Sequence, residues 1–141
     1  MNLKQEVWGP YYWFVLHTIA YQYPDSPSKS LKKKYYDFMI NFPIFLPHTE
    51  AQAKFTELLK NYPVSTYLDS RESFMKYIYF IHNYFNDITN KSKKNYDDAW
   101  NEYLKKYEYS YKDSIQKYKL YKRLFIFIII LLLLVIIIIK K

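Results

Sequence analysis

Residues 69–91 read DSRESFMKYIYFIHNYFNDITNK, and this stretch decides the fold. Phe74, Ile78, Ile81, Phe85 and Ile88 recur at steps of three and four, the spacing of one helical face and not of a strand. Asp69 is placed to cap the first turn, and Glu72 to reach back to it as a capping-box partner. A core helix is predicted here. Three polar side chains interrupt it: His82, Asn83 and Asn86, with His82 and Asn86 one turn apart. Buried imidazole and amide groups need hydrogen-bond partners. Either these groups satisfy one another inside the core or they serve a ligand, and on spacing alone the first is the simpler account.

Upstream, prolines at 24 to 27, 43 to 47 and 63 punctuate further helical segments. The first is predicted from about Pro10 to Tyr23, with proline near its first turn. It is apolar almost all round and therefore central. Its Gly9, Trp13 and His17 fall at i, i+4 and i+8, so a small residue, an indole and an imidazole share a face able to hold a flat ligand. The second helix, about Ser28 to Asn41, turns Lys32, Lys33 and Lys34 to water. The third follows Pro47, carries Phe55, Leu58 and Leu59 on one side and stops before Pro63. A fifth begins at about Tyr96, after the basic loop Lys91 to Lys94, and runs through Trp100 and Leu104 toward the chain end. No strand-like alternation competes. The expected architecture is all-α, a four-helix bundle plus a short fifth helix followed by a C-terminal transmembrane helix.

That last helix is the run LFIFIIILLLLVIIII, Leu124 to Ile139, flanked by basic residues. At about 1.5 Å per residue it nearly fills a hydrocarbon core of roughly 30 Å. Tyr118 and Tyr121 sit where an interfacial aromatic belt belongs, and Lys140 and Lys141 can snorkel. With only two residues beyond the run, insertion is expected after translation, leaving the N-terminal part cytosolic. The start, MNLKQEVWGP, shows no secretory signal. The expected division is a helical domain over 1–116 and a basic juxtamembrane segment with anchor over 117–141.

Charge and composition exclude several classes. The formal charge is +8, but Lys117, Lys119, Lys122, Arg123, Lys140 and Lys141 supply six of it, which leaves about +2 elsewhere. Nucleic-acid binding is not expected from so balanced a domain. The single glycine, Gly9, excludes Gly-rich phosphate loops. The absence of cysteine removes disulfides, thiolate nucleophiles and Cys-type metal sites together. His17, His48 and His82 lack the acidic partners and tight spacing of a metal site, so no metal is expected.

The ordered set Trp8-Gly9, Trp13, Leu16-His17, Tyr23-Pro24, Leu46-Pro47, Ser70-Arg71, His82-Asn83, Asn86 and Lys91 resembles the FAD-linked sulfhydryl oxidases of the Erv/ALR type. The resemblance covers roughly Trp8 to Trp100. It implies a small helical bundle, usually a homodimer, with FAD in the mouth of four helices and a short fifth helix over the adenine end. It also implies that Gly9, Trp13 and His17 line the flavin nucleotide, that His82, Asn83 and Asn86 meet its adenine and ribose side, and that Lys91 meets phosphate. Tyr96 and Trp100 fall where the family closes the site, a looser match. The family serves mitochondria, the secretory pathway and large DNA viruses, and the AT-rich codon signature of this composition leans toward the last, with a host-cell or virion membrane as the place of the anchor.

The departure from the family is as informative. Members follow Leu-Pro with Cys-x-x-Cys; here Leu46-Pro47 is followed by His48-Thr49-Glu50-Ala51. Thiol–disulfide exchange needs a thiolate, which neither His48 nor Ala51 provides, so no residue of this chain is assigned as catalytic. The expected function is a membrane-anchored, FAD-binding member of a family that converts dithiols to disulfides with electrons passed through FAD to oxygen, itself unable to do so unaided. It is expected to act as a homodimer or with a related oxidase. The competing expectation is an interaction or scaffold subunit that has lost FAD as well.

Overall fold

The computed structural model describes residues 3–139, with side chains at all of these except 109, 110 and 133–139. Helices α1 (Gln5–Tyr21), α2 (Lys29–Asn41), α3 (Thr49–Asn61), α4 (Arg71–Ile88) and α5 (Tyr96–Ile139) follow in order. Short 3-10 turns at Phe42–Phe45 and Val64–Tyr67, not foreseen in the sequence, precede α3 and α4. No strand occurs among the described residues. The chain divides into two compact units, Met1–Trp100 and Asn101–Lys141.

In the first unit α1 packs on α4, and α3 also meets α4. The apolar stripe read from α4 is the floor of the core: Phe74, Ile78 and Ile81 are fully buried and Phe85 nearly so. Ile88, at its end, is 37% exposed and lies outside that core. Leu16 and Ala20 of α1 and Phe55 and Leu58 of α3 complete the packing. Each such buried leucine, isoleucine or phenylalanine side chain contributes about 1.5–3 kcal/mol over leaving it in water. Tyr77 is also fully buried; its hydroxyl donates to the Tyr62 carbonyl at 2.7 Å, and burial pushes the phenol well above its ordinary pKa.

Two helix starts differ from expectation. α1 begins at Gln5, five residues before Pro10, which lies inside the helix. The early turn is held from outside the regular ladder: the Lys4 carbonyl accepts from Val7 N at 3.0 Å, and the Trp8 indole donates to the Leu3 carbonyl at 3.0 Å. Glu6 in this turn also favours the positive helix end. For α4, Ser70 and not Asp69 is the cap; its hydroxyl accepts from Ser73 N at 3.2 Å. Asp69 is drawn away by Lys32 at 2.5 Å, and Glu72 pairs with Lys76 at 2.5 Å, so the capping box does not form. At the far end Asn90 adopts φ 56°. Lys91 N then reaches the Asn86 carbonyl at 2.7 Å and Asn90 N the Asp87 carbonyl at 3.1 Å, a Schellman closure with asparagine in the usual glycine position.

The motif residues Tyr23-Pro24 and Ser70-Arg71 turn out to be a clasp. Arg71 Nε donates to the Tyr23 carbonyl at 2.6 Å, and its guanidinium lies 3.4 Å from Asp25. The fully buried Tyr23 returns its hydroxyl to the Leu68 carbonyl at 2.8 Å. Arg71→Ala is expected to lower stability by about 1.5 kcal/mol, the lower end for a charged donor because Arg71 is partly solvated. Asp25→Asn, at an exposed pair, is expected to stay within about 0.5 kcal/mol. Urea unfolding of both variants checks the contrast.

The second unit is the shaft of α5. The expected short fifth helix and separate anchor helix are instead one continuous helix, Tyr96–Ile139. No proline or glycine follows Pro63 to break it. Pairs at i, i+4 brace it, with Glu108 3.8 Å from Lys112 and Asp113 2.7 Å from Lys117. Among the described residues no helix is long and apolar enough to cross a membrane. Of the apolar run, the described side chains end at Leu132; those of 133–139, and Lys140 and Lys141 altogether, lie outside the described residues.

Candidate functional site

Helical spacing sets Gly9, Trp13 and His17 on one face of α1, and the packing of α1 on α4 brings that face to His82. Trp13 and His82 stack with planes 10° apart and centroids 4.1 Å apart. His17 Nε2 lies 3.1 Å from His82 Nδ1, so one imidazole donates and the other accepts. Trp100 places its ring edge-on to His17, centroids 4.9 Å apart. Tyr96 lies one turn before it at 6.3 Å and meets Tyr79 at 5.2 Å. His17 and Trp100 are buried, while Trp13 and His82 are half-buried and present partly open ring faces.

The amides divide. Asn83 is engaged with the loop after α4: its Nδ2 donates to the Lys94 carbonyl at 2.7 Å and its Oδ1 accepts from Lys94 N at 3.1 Å. It therefore positions the basic loop and keeps its second amide N–H. The half-buried Asn86 makes no side-chain hydrogen bond among the described residues, and the Schellman closure at its carbonyl sets where Lys91 leaves the helix. Lys91 is exposed, with Lys93 beside it 3.0 Å from Asp87.

Gly9 is buried, yet a methyl group added there meets only Gln5 Cγ, at 3.7 Å. The protein's own packing does not demand glycine. Gly9→Ala is thus expected to stabilise the ligand-free protein by about 0.5–1 kcal/mol, as alanine does within a helix. If a flat ligand lies along this face, the same change weakens its binding severalfold. Melting and ligand titration of one variant separate the two effects.

One turn before Gly9 on the same face of α1, Gln5 lines a separate cleft of about 460 Å³, whose wall includes none of Gly9, Trp13, His17 and His82. Its wall includes His48, Thr49, Glu50 and Ala51 at the start of α3, Phe85 and Thr89 of α4, and Lys54. Ala51 is buried and carries only a methyl group. His48 occupies the cap position of α3 without capping it; its Nε2 is turned to the Leu3 carbonyl, which also receives the Trp8 indole. The Lys54 ammonium holds the Glu50 carboxyl below the usual range. The three histidines are not brought together, and among the described residues no group of His, Asp and Glu is arranged to hold a metal ion. Gln5, Phe85 and Thr89 were missed in the sequence. Gln5 is one turn before Gly9 and Thr89 one turn after Phe85, but only the crossing of the helices shows that these faces share a cleft.

A helical bundle with a stacked indole–imidazole pair and a cleft at the start of its third helix defines a small all-α domain without thiols. The chain belongs to the Erv1 / Alr family, which it matches over residues 10–109. It is 33% identical over 98 residues to a probable FAD-linked sulfhydryl oxidase of Acanthamoeba polyphaga mimivirus, covering 69% of this chain and 68% of that one. A putative FAD-linked sulfhydryl oxidase of Invertebrate iridescent virus 3 is 26% identical over 64% of this chain and 62% of its own length. A FAD-linked sulfhydryl oxidase of Oryza sativa is 34% identical over 59% of this chain and 41% of its own. Among solved structures, the core of yeast Erv1 superposes with a TM-score of 0.63 at 23% identity, covering 69% of this chain and 80% of that one, a likeness of fold.

Proposed function

We propose that this chain is a membrane-anchored, FAD-binding member of the Erv1 / Alr family that does not oxidise protein dithiols unaided. The single observation that carries the reading is the parallel Trp13–His82 pair, joined to His17, on the α1 face whose Gln5 also lines the cleft beside His48 and Ala51. The residues present fit a flat nucleotide bearing phosphates. Aromatic faces stack on flat rings, Asn86 has an amide to spare, Gly9 leaves room for close approach, and Lys91 can meet a phosphate as a point charge. FAD, when bound, supplies the two-electron acceptor of the family's dithiol chemistry.

Trp13 and His82 would hold the flat rings, His17 would fix the tautomer and tilt of His82, and Asn83 would hold the loop that carries Lys91. At the start of α3 the family's thiols are replaced by an imidazole engaged with the Leu3 carbonyl and by a methyl group. Neither can form the mixed disulfide through which thiol–disulfide exchange proceeds. The N-terminus of α3 would favour a thiolate, and none is present to favour.

The anchor rests on residues 124–139, apolar throughout and continuous with the helical backbone to Ile139. Pairing with a second copy or a related oxidase is supported by Val7, Tyr11 and Val15, which lie at i, i+4 and i+8 on α1 and are 65%, 71% and 48% exposed.

A second reading, an interaction subunit without FAD, draws on two contacts: the Trp13 and His82 rings touch with nothing between them, and Asn83 is consumed by Lys94. Titration of FAD with the full chain in detergent decides between them. Saturable quenching of flavin fluorescence at close to one FAD per chain supports the flavoprotein; a folded chain that takes up none leaves the subunit reading.

A further inference from the structure

The shaft of α5 carries a repeating pattern of its own. Leu104, Tyr107, Tyr111, Ser114, Tyr118, Tyr121 and Phe125 are spaced three, four, three, four, three and four residues apart, the 3.5-residue repeat of a coiled-coil seam. The spacing continues to Ile128 and Leu132 in the apolar run. Tyr111, Tyr118 and Tyr121 are 70%, 68% and 66% exposed, and Tyr107, whose hydroxyl lies 3.0 Å from that of Tyr103, is 46% exposed. Lys105, Lys112, Lys119 and Arg123 lie off the seam.

We propose that this seam is the contact between two copies of the chain, paired in parallel and in register along α5. A helix with a 3.5-residue seam is complementary to another with the same repeat. A second copy supplies that repeat with the same length and phase. The parallel orientation rests on the anchor reading, since copies held by 124–139 in one bilayer enter it in the same sense. Continuity of the seam into Phe125, Ile128 and Leu132 lets one pairing run from the aqueous shaft into the lipid. The flanking positions carry one conflict: in a parallel pair, Lys117 of one copy faces Lys122 of the other. That like-charge contact weakens the pair.

The absence of cysteine makes the test site-specific. Single cysteines are placed at Ser114, Ile115, Gln116, Lys117 and Tyr118 in turn, in the full chain reconstituted in vesicles, and disulfide-linked dimer is measured after mild oxidation. Maxima at Ser114→Cys and Tyr118→Cys with a minimum at Gln116→Cys, at least severalfold lower, are expected. A flat profile, a maximum at 116, or no cross-link at any position overturns the pairing. Lys122→Glu, which converts the conflict to attraction, is expected to raise the cross-linked fraction of Ser114→Cys about twofold; a fall contradicts the parallel register. Alkaline extraction of the same vesicles reads the anchor separately, so loss of the anchor and loss of the seam give different results.

Discussion

Cysteine at both His48 and Ala51 is expected to give the FAD-loaded protein a dithiol-dependent oxygen uptake at least about a hundredfold above the parent, a small part of what fixed placement of reacting groups supplies. The two positions are the cap and the third residue of α3, one turn apart on the wall of the same cleft. Ala51 is 7% exposed and lines that cleft, so cysteine there adds one sulfur to the methyl carbon at the cleft wall. The helix N-terminus would bring a thiol at 48 toward the thiolate. The cost is the bond from His48 to the Leu3 carbonyl, worth about 1 kcal/mol and partly kept by the Trp8 indole. Either single variant should stay at the parent level, because exchange needs one sulfur for the substrate and one to resolve it. An oxygen electrode with dithiothreitol as substrate gives the measurement. A flavin-loaded double variant with parent-level uptake would show that the cleft at α3 is not next to the reactive ring.

His82→Ala is expected to weaken FAD binding by roughly fivefold. It removes one face of the stack, worth about 0.5–1.5 kcal/mol, and about 1.4 kcal/mol corresponds to a factor of ten. It also strips a buried imidazole of the contact at 3.1 Å, so the ligand-free protein should lose about 1–3 kcal/mol. His82→Phe keeps a flat face without the nitrogen and should fall between parent and alanine in affinity. Fluorescence titration with FAD and urea unfolding, done side by side, separate binding from folding. Equal affinities for parent, phenylalanine and alanine forms would remove His82 from the site.

Much of the bundle was legible because apolar spacing is a local signal. The α4 stripe ran true from Phe74 to Phe85, and the α1 face of Gly9, Trp13 and His17 follows from helical geometry alone. What escaped depended on residues far apart in sequence. Asp69 and Ser70 are both good caps, and the choice between them is made by Lys32 on α2, which takes Asp69. α1 was expected to start at Pro10, but contacts of Leu3 with Trp8 and with His48, forty-five residues away, hold an earlier turn. Asn83 looked like a ligand group beside His82; its engagement with Lys94 is visible only once the loop is placed. Arg71 was a motif residue without a role until the Tyr23 carbonyl was found beside it. Likewise, the cleft is made by three helices whose faces carry no shared mark in the sequence.

The most direct measurement is the visible flavin absorption of the FAD-loaded full chain during anaerobic addition of a reduced dithiol peptide. The expected result is an oxidised flavin spectrum, at close to one FAD per chain, that persists on the addition and bleaches only when His48 and Ala51 are both cysteine. Prompt bleaching of the parent protein would contradict the loss of thiol chemistry, and a folded chain that holds no flavin would contradict the cofactor itself.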